Sequence, residues 1–112
     1  MYKQGDIILI PYPYTDLSTT KQRPAIVISN QESNNFREDY IVAKVTSVIR
    51  DDTFSYPLKS EHLDRKMPKK CEVRTNELFT VSGTIIKKRF ATLNTLSIQV
   101  LIKKVIKNIE SK

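Results

Sequence analysis

The sequence predicts a mainly β protein of the α+β class, a strongly curved antiparallel sheet or small barrel with one helix at its C-terminal end. Two observations carry this. Short runs rich in β-branched residues, "DIILIPY", "AIVIS" and "YIVAKVTSV", alternate with polar or proline-bearing segments. After Asn94 the pattern becomes helical, with Leu96, Ile98, Leu101, Ile102, Val105, Ile106 and Ile109 recurring at helical spacing. The 112 residues are read as one domain, 1–112, with one core.

The first strand is "DIILIPY", residues 6–12, opened by Gly5 and ended by Pro11 and Pro13. A polar loop, "PYTDLSTTKQR", separates it from a buried strand at Ala25–Ser29, which Pro24 and the polar cluster "NQESNN" bound. Tyr40–Val48 is a third strand, and Phe54–Leu58 a fourth that pairs with it across "IRDD". Residues 59–70, charged and carrying Pro68, read as an exposed loop; "CEVRT", 71–75, reads as a short strand. Residues 84–93 form a strand or a short helical turn leading into one, and Asn94 caps the final helix. Its late lysines suit the negative end of the helix dipole. The count is five to seven strands. The apolar face of the helix is wide enough that part of it is expected to meet a partner subunit.

Composition narrows the function. Nineteen Lys and Arg against twelve Asp and Glu give a formal charge of +7, which favours a polyanionic partner such as nucleic acid or an acidic protein segment. One cysteine, Cys71, makes no internal disulfide, and with one histidine, His62, it builds no zinc cluster. Two glycines, Gly5 and Gly83, exclude glycine-rich phosphate loops. No metal or cofactor is expected. No stretch has the length of a membrane span, and "MYKQGD" lacks the regions of a signal peptide, so the expected location is the cytoplasm.

Few residues are left to carry chemistry. His62 stands in a charged loop and reads as a solvated surface histidine. Arg23 precedes Pro24, which biases it towards extended backbone at the mouth of the second strand. Its guanidinium offers a planar fork of donors that matches phosphate. By composition alone, a surface Arg paired with a carboxylate such as Asp16 is the simpler role. Thr46 and Ser47 fall late in the third strand on opposite faces, where hydroxyls either orient a phosphate or merely serve β propensity.

These same residues carry a resemblance. "GDIILIPYPYTDLSTTKQRPAIVIS", residues 5–29, resembles the opening of the MazF/PemK toxins of bacterial toxin–antitoxin pairs. "YIVAKVTS", "CEVRTNELFTV" and "TIIKKRFATLN" continue the likeness in order over nearly the whole chain. The resemblance implies an SH3-like antiparallel β-barrel, a homodimer, and a metal-independent endoribonuclease acting on single-stranded RNA, chiefly messenger RNA. It also implies inhibition by an acidic antitoxin. Carried over, the catalytic pair is Arg23 and Thr46, with Ser47 beside them. Tyr12, Tyr14, Thr19, Thr20, Lys21 and Gln22 would flank the RNA, the tyrosines stacking bases and Lys21 meeting backbone phosphate. The expected products are a 2′,3′-cyclic phosphate and a 5′-hydroxyl.

Two departures from the family pattern stand out. Where some members place a glutamate before the Arg-Pro pair, this chain has only Asp16 some distance upstream, so the loop 13–22 identifies no general base. Where members often carry glycine near the start of the closing strand, this chain has Ala91, which puts the local turn in question. Two other functions share the fold: a non-enzymatic toxin that docks a protein such as DNA gyrase through its C-terminal helix, and an RNA-binding barrel without catalysis.

Overall fold

The computed structural model describes residues 1–11 and 21–111. Gly5 starts the sheet. Its φ of 95° turns the chain so that its amide bonds the Val27 carbonyl at 2.8 Å, and a side chain there would strike Ile98. Then follow β1 (Asp6–Pro11), β2 (Gln22–Val27), α1 (Gln31–Arg37), β3 (Asp39–Thr46), β4 (Ser55–Pro57), β5 (Glu72–Ser82), β6 (Lys88–Thr92) and α2 (Thr95–Ile109). Single 3-10 turns at Ser60–His62 and Gly83–Ile85 join the later strands.

The six strands form one antiparallel sheet in the order β4-β5-β3-β2-β1-β6. It is curled into a half-barrel, in keeping with the strongly curved antiparallel sheet that the sequence predicts. β5 does much of the curling. Ala43 of β3 pairs with Leu78 but Lys44 with Arg74, so Thr75, Asn76 and Glu77 bulge out of the ladder and bend the long strand. Its first half pairs with both β3 and β4, its second half with β3 alone. At the other edge, the loop after β4 reaches β6: Leu63 bridges Leu93, and the Asp64 amide bonds the Thr92 carbonyl at 3.1 Å.

Period-two alternation divides the apolar residues between two faces. Ile7, Ile26, Val45, Val73 and Leu93 pack with Leu101 and Val105 of α2. Ile8, Ile10, Ala25, Val27, Tyr40, Val42 and Val81 form a second cluster, joined by Tyr2, whose ring meets Tyr40 edge-on at 5.7 Å. In α2, the Asn94 side chain accepts from the Ser97 amide at 2.8 Å, the cap the sequence predicts.

Three expectations need correction. "NQESNN" is not merely a boundary, because α1 begins there, capped by Asn30, which accepts from the Ser33 amide at 3.0 Å. The inward residue of α1 is Asn34, fully buried and bonded to the Ser29 hydroxyl and carbonyl, so this helix has no apolar stripe to read. β4 pairs with β5 and not with β3. "CEVRT" is the beginning of an eleven-residue strand, Glu72–Ser82. The segment 84–93 contains both of its alternatives, a 3-10 turn and then β6.

Candidate active site

Pro24 shapes the site. β2 pairs with β3 as Ala25↔Lys44, Ile26↔Ala43 and Val27↔Val42, and the ladder stops where Pro24 has no N–H to give. Past that point β2 and β3 form no further pair; on its other side Arg23 pairs with Ile10 of β1, and Thr46 ends β3 two residues after Lys44. Arg23, Thr46, Ser47 and Gln22 all line one cleft of about 570 Å³ at this end of the sheet. The sequence-predicted pair, separated by 22 intervening residues, therefore shares one site.

Arg23 is exposed and forms no ion pair among the described residues. Thr46 is half-buried as the last residue of β3, and its Oγ1 accepts from the Val48 amide at 3.1 Å. That bond holds the hydroxyl oxygen in place and leaves its proton to donate. Ser47 lies just past the strand, exposed, and not within it as expected. Lys21 is exposed immediately before β2 and is not among the residues lining the cleft. Tyr12, Tyr14, Asp16, Thr19 and Thr20 lie outside the described residues.

Sequence reading missed two more cations of this cleft, Lys44 and Lys69. Lys44 stands 3.7 Å from Glu77. Among the described residues no carboxylate lines the cleft, so its field attracts anions. The cleft also has apolar lining, which includes Met67, Phe79 and Phe90. Cys71 also borders it, its thiol pushed up by burial against the opposing effect of Lys69.

Behind the end of β3 lies a charged network that also went unread. Glu72, 1 % exposed, stands opposite Thr46 in the β3–β5 ladder. Arg74, 3 % exposed, bonds Glu72 at 2.6 Å, both oxygens of Asp52 at 2.9 and 3.0 Å, and Glu77 at 3.3 Å. The other oxygen of Glu72 accepts the Arg50 and Asp51 amides at 3.2 and 3.3 Å, fixing the turn that follows Thr46 and Ser47. Burial alone pushes Glu72 up, but the bonds from Ser55, Arg74 and the two amides outweigh it and hold the carboxyl below its usual range. The Arg74 bond holds Asp52 at about 2. The one available signal was the opposite charges of Glu72 and Arg74 two apart, hence on one face of a strand.

A wider depression of about 1170 Å³ lies at the other end of β1, around Asp6, Asp64, Arg89 and His62. Its carboxylates suit it poorly to a phosphate. His62 is half-buried there, with Nδ1 out of solvent and without a hydrogen-bond partner among the described residues, and is not the solvated histidine its charged loop suggests. Among the described residues no group of three His, Cys, Asp or Glu side chains is placed to hold a metal ion, and no helix is long and apolar enough to cross a membrane.

A model of the PemK-like, MazF-like toxins of type II toxin–antitoxin systems matches residues 3–109. The chain belongs to this family. Solved structures agree in fold. An endoribonuclease in complex with its cognate antitoxin from Mycobacterial species superposes with a TM-score of 0.73 at 11% identity, covering 100% of both chains. MazF in a MazE-MazF structure from Deinococcus radiodurans gives 0.78 at 15%, covering 96% of this chain and 95% of that one. The Mycobacterium tuberculosis toxin MazF-mt6 gives 0.70 at 14%, covering 92% and 93%. No curated protein matches the sequence. In this PemK-like, MazF-like toxin, the Ala91 departure leaves the closing strand intact: Ala91 is fully buried, pairs with Ile7, and β6 runs on to Thr92.

Proposed function

We propose that this toxin is an endoribonuclease that cuts single-stranded RNA, chiefly messenger RNA, without a metal, and so stops translation and growth. The observation that supports the reading is that Arg23 and Thr46 line one cleft that also carries Lys44 and Lys69. RNA brings its own nucleophile. The 2′-oxygen forms a bond to phosphorus as the P–O5′ bond breaks; the 2′-proton passes to solvent and the 5′-oxygen takes one up. A 2′,3′-cyclic phosphate and a 5′-hydroxyl remain. The enzyme must align these atoms and stabilise the charge that builds on the phosphoryl oxygens. Arg23 supplies that stabilisation. With a pKa above about 12 an arginine is a poor proton donor, so its role is electrostatic. Thr46 donates its free hydroxyl proton to the scissile phosphate, with Ser47 and Gln22 beside it.

One toxin domain, 1–112, is assigned to this work in the cytoplasm as a homodimer. Leu96, Val100, Ile106 and Ile109 of α2 are exposed and suit a subunit contact. An acidic antitoxin segment is the proposed inhibitor, since relatives are solved with antitoxins and this cleft is cationic. Such a segment folds onto the cleft and excludes RNA.

Purified protein incubated with a long single-stranded RNA in EDTA should yield fragments with 5′-hydroxyl ends. Arg23→Ala should slow their appearance by roughly 10²–10³-fold, the cost of losing one transition-state donor. RNA of varied sequence left intact by wild type refutes the enzyme. Salt-sensitive binding without cleavage would instead mark an RNA-binding barrel, and gyrase inhibition a protein-docking toxin.

A further inference from the structure

The cleft has a second half that phosphate chemistry does not use. Its origin is a bulge. In the β1–β6 ladder Ile7 pairs with Ala91 and Ile8 with Arg89, so Phe90 is the extra residue, opposite nothing. The bulge lets Phe90 and Ala91, adjacent in sequence, pack on the same core cluster, while Arg89 turns outward to Asp64 at 3.0 Å. Phe90 is left half-buried on the wall of the cleft, with Met67 beside it and Leu9 on the strand between. The guanidinium of Arg65 lies over its ring, 4.4 Å from the centroid.

β1 alone separates β6 from β2; Pro24 stands opposite Leu9 and Leu9 opposite Lys88, so the Phe90 backbone lies two strand spacings across and two residues along from Pro24, about 12 Å away. One ribose and its base span that gap. A polyanion drawn to Arg23, Lys44 and Lys69 must place something on the apolar lining of the same cleft, and in RNA the groups that flank a phosphate are sugars and bases. A base has an apolar π-face that stacks on aromatic side chains whatever its sequence.

Resting on the ribonuclease reading, we propose that Phe90, braced by Arg65 and flanked by Met67, is a stacking platform for the nucleobase next to the scissile phosphate. It binds substrate and takes no part in bond-making. A ring that served only as core cover would be replaced adequately by leucine.

The test uses a short RNA carrying a mapped cut site, and the same RNA with an abasic ribose on either side of the cut. With the normal RNA, Phe90→Leu and Phe90→Ala should raise KM roughly 5- to 150-fold with kcat little changed, the equivalent of about 1–3 kcal/mol of stacking. Phe90→Tyr should restore it. On one of the two abasic RNAs, wild type and Phe90→Leu should have the same KM. Thermal melts of each variant verify folding, and Phe90→Leu keeps the test open should Phe90→Ala unfold. A wild-type KM for Phe90→Leu overturns the platform alone, as does an equal penalty on normal and both abasic RNAs. No cleavage by wild type, or cleavage unchanged in Arg23→Ala, overturns the ribonuclease reading and the platform with it.

Discussion

Arg74→Met would strand the carboxylate of Glu72, 1 % exposed, without the guanidinium that now lies 2.6 Å away. Breaking a buried ion pair from one side costs about 3–5 kcal/mol, because the partner's charge stays inside uncompensated. Here Glu72 keeps the Ser55 hydroxyl at 2.7 Å and the Arg50 and Asp51 amides at 3.2 and 3.3 Å. That places the expected loss near 3 kcal/mol, at the low end of the range. Protonation sets a ceiling on the charge-burial part: an ordinary glutamate takes up a proton for about 3.7 kcal/mol at pH 7 and for about 1 kcal/mol at pH 5. The cost of Arg74→Met should therefore shrink by more than half between those two values. A cost that came from lost packing would stay constant. Glu72→Met combined with Arg74→Met removes both charges and should recover at least half of the larger single loss. Urea unfolding of wild type, both single variants and the double variant at pH 7 and pH 5 measures all of these. A pH-independent cost, or a double variant as unstable as the two singles added, refutes the argument.

Asp52 makes a prediction in acid. The Arg74 bond lowers its carboxyl from an ordinary 3.8 to about 2, so the folded protein binds this proton less readily than the unfolded chain. The stabilisation is complete above about pH 4 and is lost as the pH falls through about 2. Between pH 5 and pH 2 the urea midpoint of Asp52→Asn should fall less steeply than that of wild type, and identical slopes would count against the pairing. Gly5→Ala should cost at least about 1–3 kcal/mol, because φ is 95° and the new methyl meets Ile98. A thermal midpoint within a degree of wild type would show that the turn is not constrained as described.

How far the fold and the site could be read depended on how local the signal was. α2 was plain because its apolar period and its Asn94 cap lie within one segment. α1 was not, since a seven-residue helix anchored by buried Asn34 has no apolar stripe. Strand runs were visible, but an apolar run does not say which strand it joins, and β4 was assigned to the wrong neighbour. At the candidate site, Arg23 and Thr46 were expected from family resemblance, and Pro24, expected to bound the second strand, lies inside β2. Lys44, Lys69 and Phe90 gave no signal, because a lysine or phenylalanine reads the same in sequence wherever its side chain ends up.

The sequence by itself determined the class of fold, the C-terminal helix and the basic charge. Each follows from residues close together in the chain, through backbone sterics, periodicity or composition. Only the tertiary structure decided that three residues of β5 bulge to curl the sheet, that Arg74 ties Glu72, Asp52 and Glu77 together behind Thr46, and that Phe90 faces the cleft. Those outcomes turn on strand register and bulges, and alternation with a period of two specifies a strand's faces without naming its partner.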